Sequence, residues 1–170
     1  MAITRLGGAN AITGTLPAAN INDTSIGNIT ALPAAIATGK VLQVVNSSST
    51  TTASTTSTSF VDSNLSASIT PSSTSNKIFG TGMCFILVSQ AQHEAQYAMF
   101  RDSTQLNSSV WSFGVSNHTS SVFIPCTFSF FDLPSSTSAL NYKLKFLTSV
   151  ASSQANVYRQ QYMTLMEIEG

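Results

Sequence analysis

The sequence predicts an all-β protein: a jelly-roll-like antiparallel β-sandwich over residues 41–170, carried behind an extended N-terminal arm over residues 1–40. Three observations predict it. About eight runs of strand character follow one another at a spacing of roughly 10–15 residues, separated by clusters of Pro, Gly, Asn, Asp and Ser. No run sets its apolar residues at the 3.6-residue period of an amphipathic helix. Finally, the composition breaks in two: every Phe, Tyr and Trp lies at residue 60 or later, and residues 1–40 hold neither an aromatic residue nor a cysteine.

The arm comes first. A segment without aromatics has little with which to build a core of its own. It carries a weak internal repeat, in which Ile12-Thr13-Gly14-Thr15-Leu16-Pro17-Ala18-Ala19 returns as Ile29-Thr30-Ala31-Leu32-Pro33-Ala34-Ala35. Pro17 and Pro33 fix φ, remove a donor and bias the preceding leucines to extended geometry. Ile12, Leu16, Ile21, Ile26, Ile29 and Leu32 are spread among small polar residues and form no helical stripe. With Pro17 and Pro33 they are the candidate anchoring residues of an extended chain that turns its apolar side chains toward identical neighbours or into a groove on a partner.

From Val41 the pattern changes to strands. Val41-Leu42-Gln43-Val44-Val45 is the first. Residues 47–59 are almost entirely Ser and Thr, which suits a polar edge strand or a linker, and the frequency of Thr favours a strand ending in Phe60-Val61-Asp62. Residues 65–70 alternate with period two, and Pro71-Ser72-Ser73-Thr74-Ser75-Asn76 is a turn. Residues 77–90 are apolar on both alternating faces, which predicts a central strand buried on both sides. Gly80 and Gly82 within it predict a bend or a close approach of another backbone. Residues 91–99 are the one stretch that would accommodate a helical turn. A strand over 96–101 turns at Asp102-Ser103. Another covers Val110 to Val115, with a loop at Asn117-His118-Thr119. A further strand over 121–132 offers Phe123, Cys126, Phe128, Phe130 and Phe131 as core residues. After a turn at 133–137, Leu140, Tyr142, Leu144 and Phe146 alternate with Asn141, Lys143 and Lys145 in a one-sided amphipathic strand. Residues 158–169 close the domain, with Tyr162, Thr164, Met166 and Ile168 on one face.

Charge and motifs exclude most chemistry. Charged residues make up 8% of the chain, against roughly 25% in an average soluble domain, and seven basic residues balance seven acidic ones. No basic stripe exists, so no nucleic-acid partner is expected. The apolar run at residues 85–88 is far too short to span a bilayer, so no membrane partner is expected, and the first residues do not resemble a secretion signal. Low charge also suits buried subunit interfaces, because a near-neutral surface tends to associate. Cys84 and Cys126 form neither a disulfide framework nor a zinc site. Buried free thiols are expected, with a single bridge between packed strands left open. Phosphate-loop, dinucleotide and nucleophile-elbow motifs are absent. His93-Glu94-Ala95-Gln96-Tyr97 begins like a zincin motif but has Tyr97 where the second histidine belongs. The expectation is therefore a protein that is not an enzyme and holds no cofactor or metal. Aromatic and polar loop residues can nevertheless stack on sugar rings and bond their hydroxyls. Trp111, His118, Tyr97, Arg101 and Tyr158 are the candidates for such a glycan contact, with core or interface packing as the competing role for Trp111.

The segment Leu6-Gly7-Gly8-Ala9-Asn10-Ala11-Ile12-Thr13-Gly14-Thr15-Leu16-Pro17-Ala18-Ala19-Asn20-Ile21 resembles the Gly-Thr-Leu-Pro-Ala-Ala-Asn segments of bacteriophage tail-fibre proteins. Gly39-Lys40-Val41-Leu42-Gln43-Val44-Val45, the stretch from Thr55 to Asp62 and that from Ile69 to Ile78 are similar to virion proteins of aquatic phages, including cyanophages. Phe100-Arg101-Asp102-Ser103 and Met166-Glu167-Ile168 fit the same pattern. The resemblance implies a homotrimeric virion protein assembled in the host cytoplasm. Its arm would attach to other virion proteins, of the tail or baseplate, and its β-domain would face the host surface and its glycans, as in a short tail fibre. The chain is short for a fibre and has no repetitive shaft, which leaves a second role: a trimeric capsid cement protein whose arm lies across the major capsid protein. A free lectin module is a third reading, and the coreless arm argues against it.

Overall fold

The structure, a computed structural model, describes residues 40–88, 93–106, 111–114 and 122–170. The chain divides into two units, Met1–Thr38 and Gly39–Gly170, and the described residues all belong to the second. They form ten strands and no helix: β1 Val41–Ser49, β2 Ala53–Thr55, β3 Val61–Ile69, β4 Lys77–Val88, β5 Glu94–Arg101, β6 Thr104–Gln105, β7 Trp111–Gly114, β8 Val122–Asp132, β9 Leu140–Thr148 and β10 Ala155–Ile168.

Two sheets result. One has the order β1-β10-β4-β8, with β2 also on β10. The other has the order β3-β9-β5, with β6 and β7 both on the free side of β5. Every pairing is antiparallel. With the short β2 and β6 set aside, eight strands remain. Taken in chain order, the first, eighth, third and sixth make one sheet, and the second, seventh, fourth and fifth make the other. That interleaving, with the first and last strands side by side, is the double Greek key of a jelly roll. The expected fold class is observed.

Why these residues form these strands is plainest in β9. Leu140, Tyr142, Leu144 and Phe146 all point inward and are buried, while Asn141, Lys143 and Lys145 point outward. Burying a side chain of this size is worth about 1.5–3 kcal/mol, so a one-residue slip in register would lose most of the core of this sheet. Opposite β9, the inner face of β4 contributes Ile78, Cys84 and Ile86.

The glycines of β4 have a specific role. Gly80 and Gly82 stand directly across from Phe130 and Phe128 of β8, and each phenylalanine ring lies over its glycine where a Cβ would sit. At Gly82 the carbonyl of Tyr162 also occupies that space. The expected close approach is observed, and it comes from two aromatic rings as well as from backbone.

Several expectations are corrected. Residues 47–59 do not form one strand; they end β1, form β2 and then turn before β3. Residues 94–101 are strand throughout, so no helical turn occurs among the described residues of 91–99. Phe123 and Phe131 are not core: they are 56% and 54% exposed, because β8 alternates and sends Cys126, Phe128 and Phe130 inward. The outer face of β4, expected to be buried, leaves Phe79, Met83 and Phe85 partly exposed. On β10 the named face of Tyr162, Thr164, Met166 and Ile168 is the outer one; Gln161, Met163, Leu165 and Glu167 point inward.

Cys84 and Cys126 face each other across β4 and β8, both buried and both reduced. A hydrogen bond between the thiols, together with burial, pushes the Cys84 thiol far above the ordinary range. Neither thiol is expected to react with Ellman's reagent in the native protein, and both should react on unfolding in urea. Fast labelling of the folded protein would contradict this burial.

Candidate functional site

Polar side chains clasp the sandwich at one end. Glu167, on the inward face of β10, is buried. Its carboxylate accepts hydrogen bonds from Asn76 Nδ2 at 2.6 Å, Gln43 Nε2 at 2.5 Å, and the Ser72 amide and hydroxyl at 2.6 and 2.8 Å. Burial alone would raise its pKa. The bonds from Asn76, Gln43 and Ser72 outweigh burial and bring the pKa down to about 2. This carboxylate pins the 70–76 turn, and with it the crossing from β3 to β4, onto β1 and β10.

A second clasp crosses between the sheets. Arg101 Nη1 of β5 donates to both oxygens of Asp132 of β8, at 2.8 and 2.7 Å, and Tyr142 Oη of β9 donates to Asp132 Oδ2 at 2.7 Å. Burial and the Asp132 hydrogen bond push the Tyr142 hydroxyl pKa up, so it remains a donor. Because the pair is partly screened by solvent, Asp132→Asn is expected to cost about 1–2 kcal/mol, read as a lowered urea midpoint. A double-mutant cycle with Arg101→Met that returned no coupling would refute the clasp.

The opposite end of the β1-β10-β4-β8 sheet holds a shallow depression of about 420 Å³, lined by Phe85, Phe123, Tyr158, Arg159 and Gln160. It arises from an irregularity in β10. Tyr158 pairs with Phe85 and Tyr162 with Met83, so two extra residues bulge out of β10, with Gln160 at φ 86°. A positive φ at a residue with a side chain is strained, and such strain concentrates at functional sites. Arg159 and Gln160 are thereby carried to the surface. Phe123 meets Tyr158 edge to face, with ring centroids 4.7 Å apart. An exposed Phe123 against a half-buried Tyr158, beside a guanidinium and an amide, offers stacking and hydrogen bonding together, and carries no nucleophile or general base. Among the described residues no three His, Cys, Asp or Glu side chains gather as a metal site.

The sequence candidates scatter. Tyr158 lies in the depression. Tyr97 does not reach a surface: it is 2% exposed, packs the core and donates from its hydroxyl to the Thr127 carbonyl at 3.2 Å. Arg101 is committed to Asp132. Trp111 is placed on β7 opposite Tyr97 by its backbone pairing. His118 and the arm residues Ile12, Leu16, Pro17, Ile21, Ile26, Ile29, Leu32 and Pro33 lie outside the described residues. Sequence reasoning missed Phe85, Phe123, Arg159 and Gln160. The alternation of β8 was the available signal for Phe123, whereas nothing local announces the bulge at Gln160.

The strand order defines the class of the described domain: a jelly-roll β-sandwich. No family model and no curated protein matches the chain. Among solved structures, the chain is similar to infectious bursal disease virus, Gx strain, at 13% identity over 75% of this chain and 36% of that chain, with a TM-score of 0.40. The VP2 subviral particle of the same virus gives 12% identity, coverages of 74% and 39%, and a TM-score of 0.39. The T13 particle gives 13% identity, coverages of 77% and 36%, and a TM-score of 0.38. The chain thus spans less than two fifths of the length of these structures.

Proposed function

We propose that this chain is a non-enzymatic virion structural protein: a short trimeric tail fibre, anchored to other virion proteins by its N-terminal arm and presenting its β-domain to host-surface glycans. The observation that carries this reading is the polarity of the sandwich. The chain enters β1 through Lys40 at one end of the sheet, and the aromatic depression opens at the other, about 25 Å away along β4. A protein attached through its N-terminal segment would hold such a depression outward. The low charge of the chain, the phage-like arm sequence and a sandwich architecture that recurs in capsid and lectin domains support the same reading.

A capsid cement role is the second reading, to which the same low-charge jelly-roll sandwich is suited. Immunogold electron microscopy of intact particles, with an antibody against residues 41–170, separates the two. Label at the tail is the expected result, and label over the head assigns the cement role. Purified particles without label would remove both.

A further inference from the structure

The outer face of the β1-β10-β4-β8 sheet is unlike that of β3 and β9, which carries Asp62, Lys143 and Lys145. Strand register aligns Val44, Met166, Phe79 and Phe131 in one row across all four strands. Val44 is 53% exposed, and Val41, Leu42 and Leu133 are exposed at the same end. The next row is Asn46, Thr164, Thr81 and Ser129, and the one after it Ser48, Tyr162, Met83 and Thr127. These three rows contain no charged residue, and Tyr162 is itself exposed. Monomeric proteins seldom leave an apolar row of this kind in water.

We infer that this face is covered by further copies of this same chain. The inference rests on the virion reading for its setting and deepens it by naming the surface through which copies meet. Charge decides the partner. A surface rich in Lys, Glu or Asp would lose hydration against these rows and find no opposite charge there. A second copy brings the same neutral hydroxyl, amide and apolar groups, from a chain only 8% charged. Rows of Thr, Ser and Asn pair with their own kind, as they do between neighbouring strands.

The area is adequate. Four strands spaced about 4.8 Å apart, over the seven residues from Lys77 to Met83 at about 3.4 Å each, give a flat footprint of roughly 450 Å². Two such faces bury roughly 900 Å² before side-chain relief and the rim of Leu42 and Leu133 are counted, against the roughly 1,000 Å² of a specific interface. Three copies turning this face to a common axis would each cover part of the other two. The depression at Phe123 and Tyr158 lies at the far end of the face and stays open.

The test is sedimentation velocity and native mass spectrometry of the full chain at tens of micromolar. The double variant V44E/F131E places two glutamates in the apolar row, at positions exposed in the single chain, so it should keep its circular dichroism spectrum. The expected result is an assembled wild type, a folded but monomeric V44E/F131E with its dissociation constant raised at least about 100-fold, and an F123E control that assembles like wild type. An assembled V44E/F131E would place the contact elsewhere and overturn the inference, leaving the virion reading intact. A monomeric wild type would also overturn it. In that case, label on purified particles would still support the virion reading, and crosslinking through this face to a different virion protein would identify the true occupant.

Discussion

Gly82→Val is expected to destabilise the sandwich by about 3 kcal/mol or more, enough to lower the melting temperature by roughly 10 °C. The reason is spatial. A side chain at this position meets the Phe128 ring and the carbonyl of Tyr162 together, and the carbonyl belongs to the backbone of β10, which pairs with both β1 and β4. At Gly80 the three nearest atoms all belong to the Phe130 ring, which stacks on Tyr142 with centroids 5.4 Å apart. The two glycines should therefore respond differently to compensation. Phe130→Leu should recover much of the loss caused by Gly80→Ala, because the obstructing atoms are removed. Phe128→Leu should recover little of the loss caused by Gly82→Ala, because the carbonyl remains. Equal rescue at both positions, measured by urea denaturation, would show that backbone crowding at Gly82 is unimportant.

Removing the Glu167 carboxylate is the second large effect. Glu167→Leu removes the acceptor of the Ser72 amide and one acceptor each of the Ser72 hydroxyl and of the Asn76 and Gln43 amide groups, the last two retaining only their bonds to Ser72 Oγ and the Thr70 carbonyl. Unmet buried donors cost about 1–3 kcal/mol each, so a loss of about 3 kcal/mol is expected, with the 70–76 turn losing amide-exchange protection first. Glu167→Gln should lose less, since its side-chain oxygen still accepts. The pH dependence follows from the direction of the shift. The folded pKa, about 2, lies below the ordinary value of 4.5. The carboxylate's stabilisation is therefore fully present above about pH 5 and declines as pH falls from there toward 2. Glu167→Gln should flatten the stability profile in that window. An acid profile identical to wild type would refute the carboxylate's role.

The two sites of largest effect differ in how far the sequence foretold them. Gly80 and Gly82 were visible as anomalies inside an apolar strand, and a strand glycine has few roles other than a bulge, a bend or a close approach. Glu167 was not singled out. Its parity with Met163 and Leu165 marks it as inward, but the neighbouring face of Tyr162, Met166 and Ile168 is equally apolar, and alternation cannot choose between two apolar faces. The same ambiguity led to both sides of β4 being expected to be buried, whereas Phe123 and Phe131 share their face of β8 with Thr127 and Ser129, so there the alternation was the signal that went unused.

By itself, then, the sequence determined what depends on near neighbours in the chain. The absence of helical periodicity, the turns at 71–76 and 102–103, the inward row of β9 and the all-β class all follow from residues a few positions apart. Only the tertiary structure decided which face of a doubly apolar strand is covered, which glycine lies under which ring, and where a two-residue bulge opens a depression beside Tyr158. Those outcomes depend on strands distant in sequence arriving in a particular register, as β1 and β10 do from opposite ends of the domain, and a period of two residues does not encode which strand will arrive.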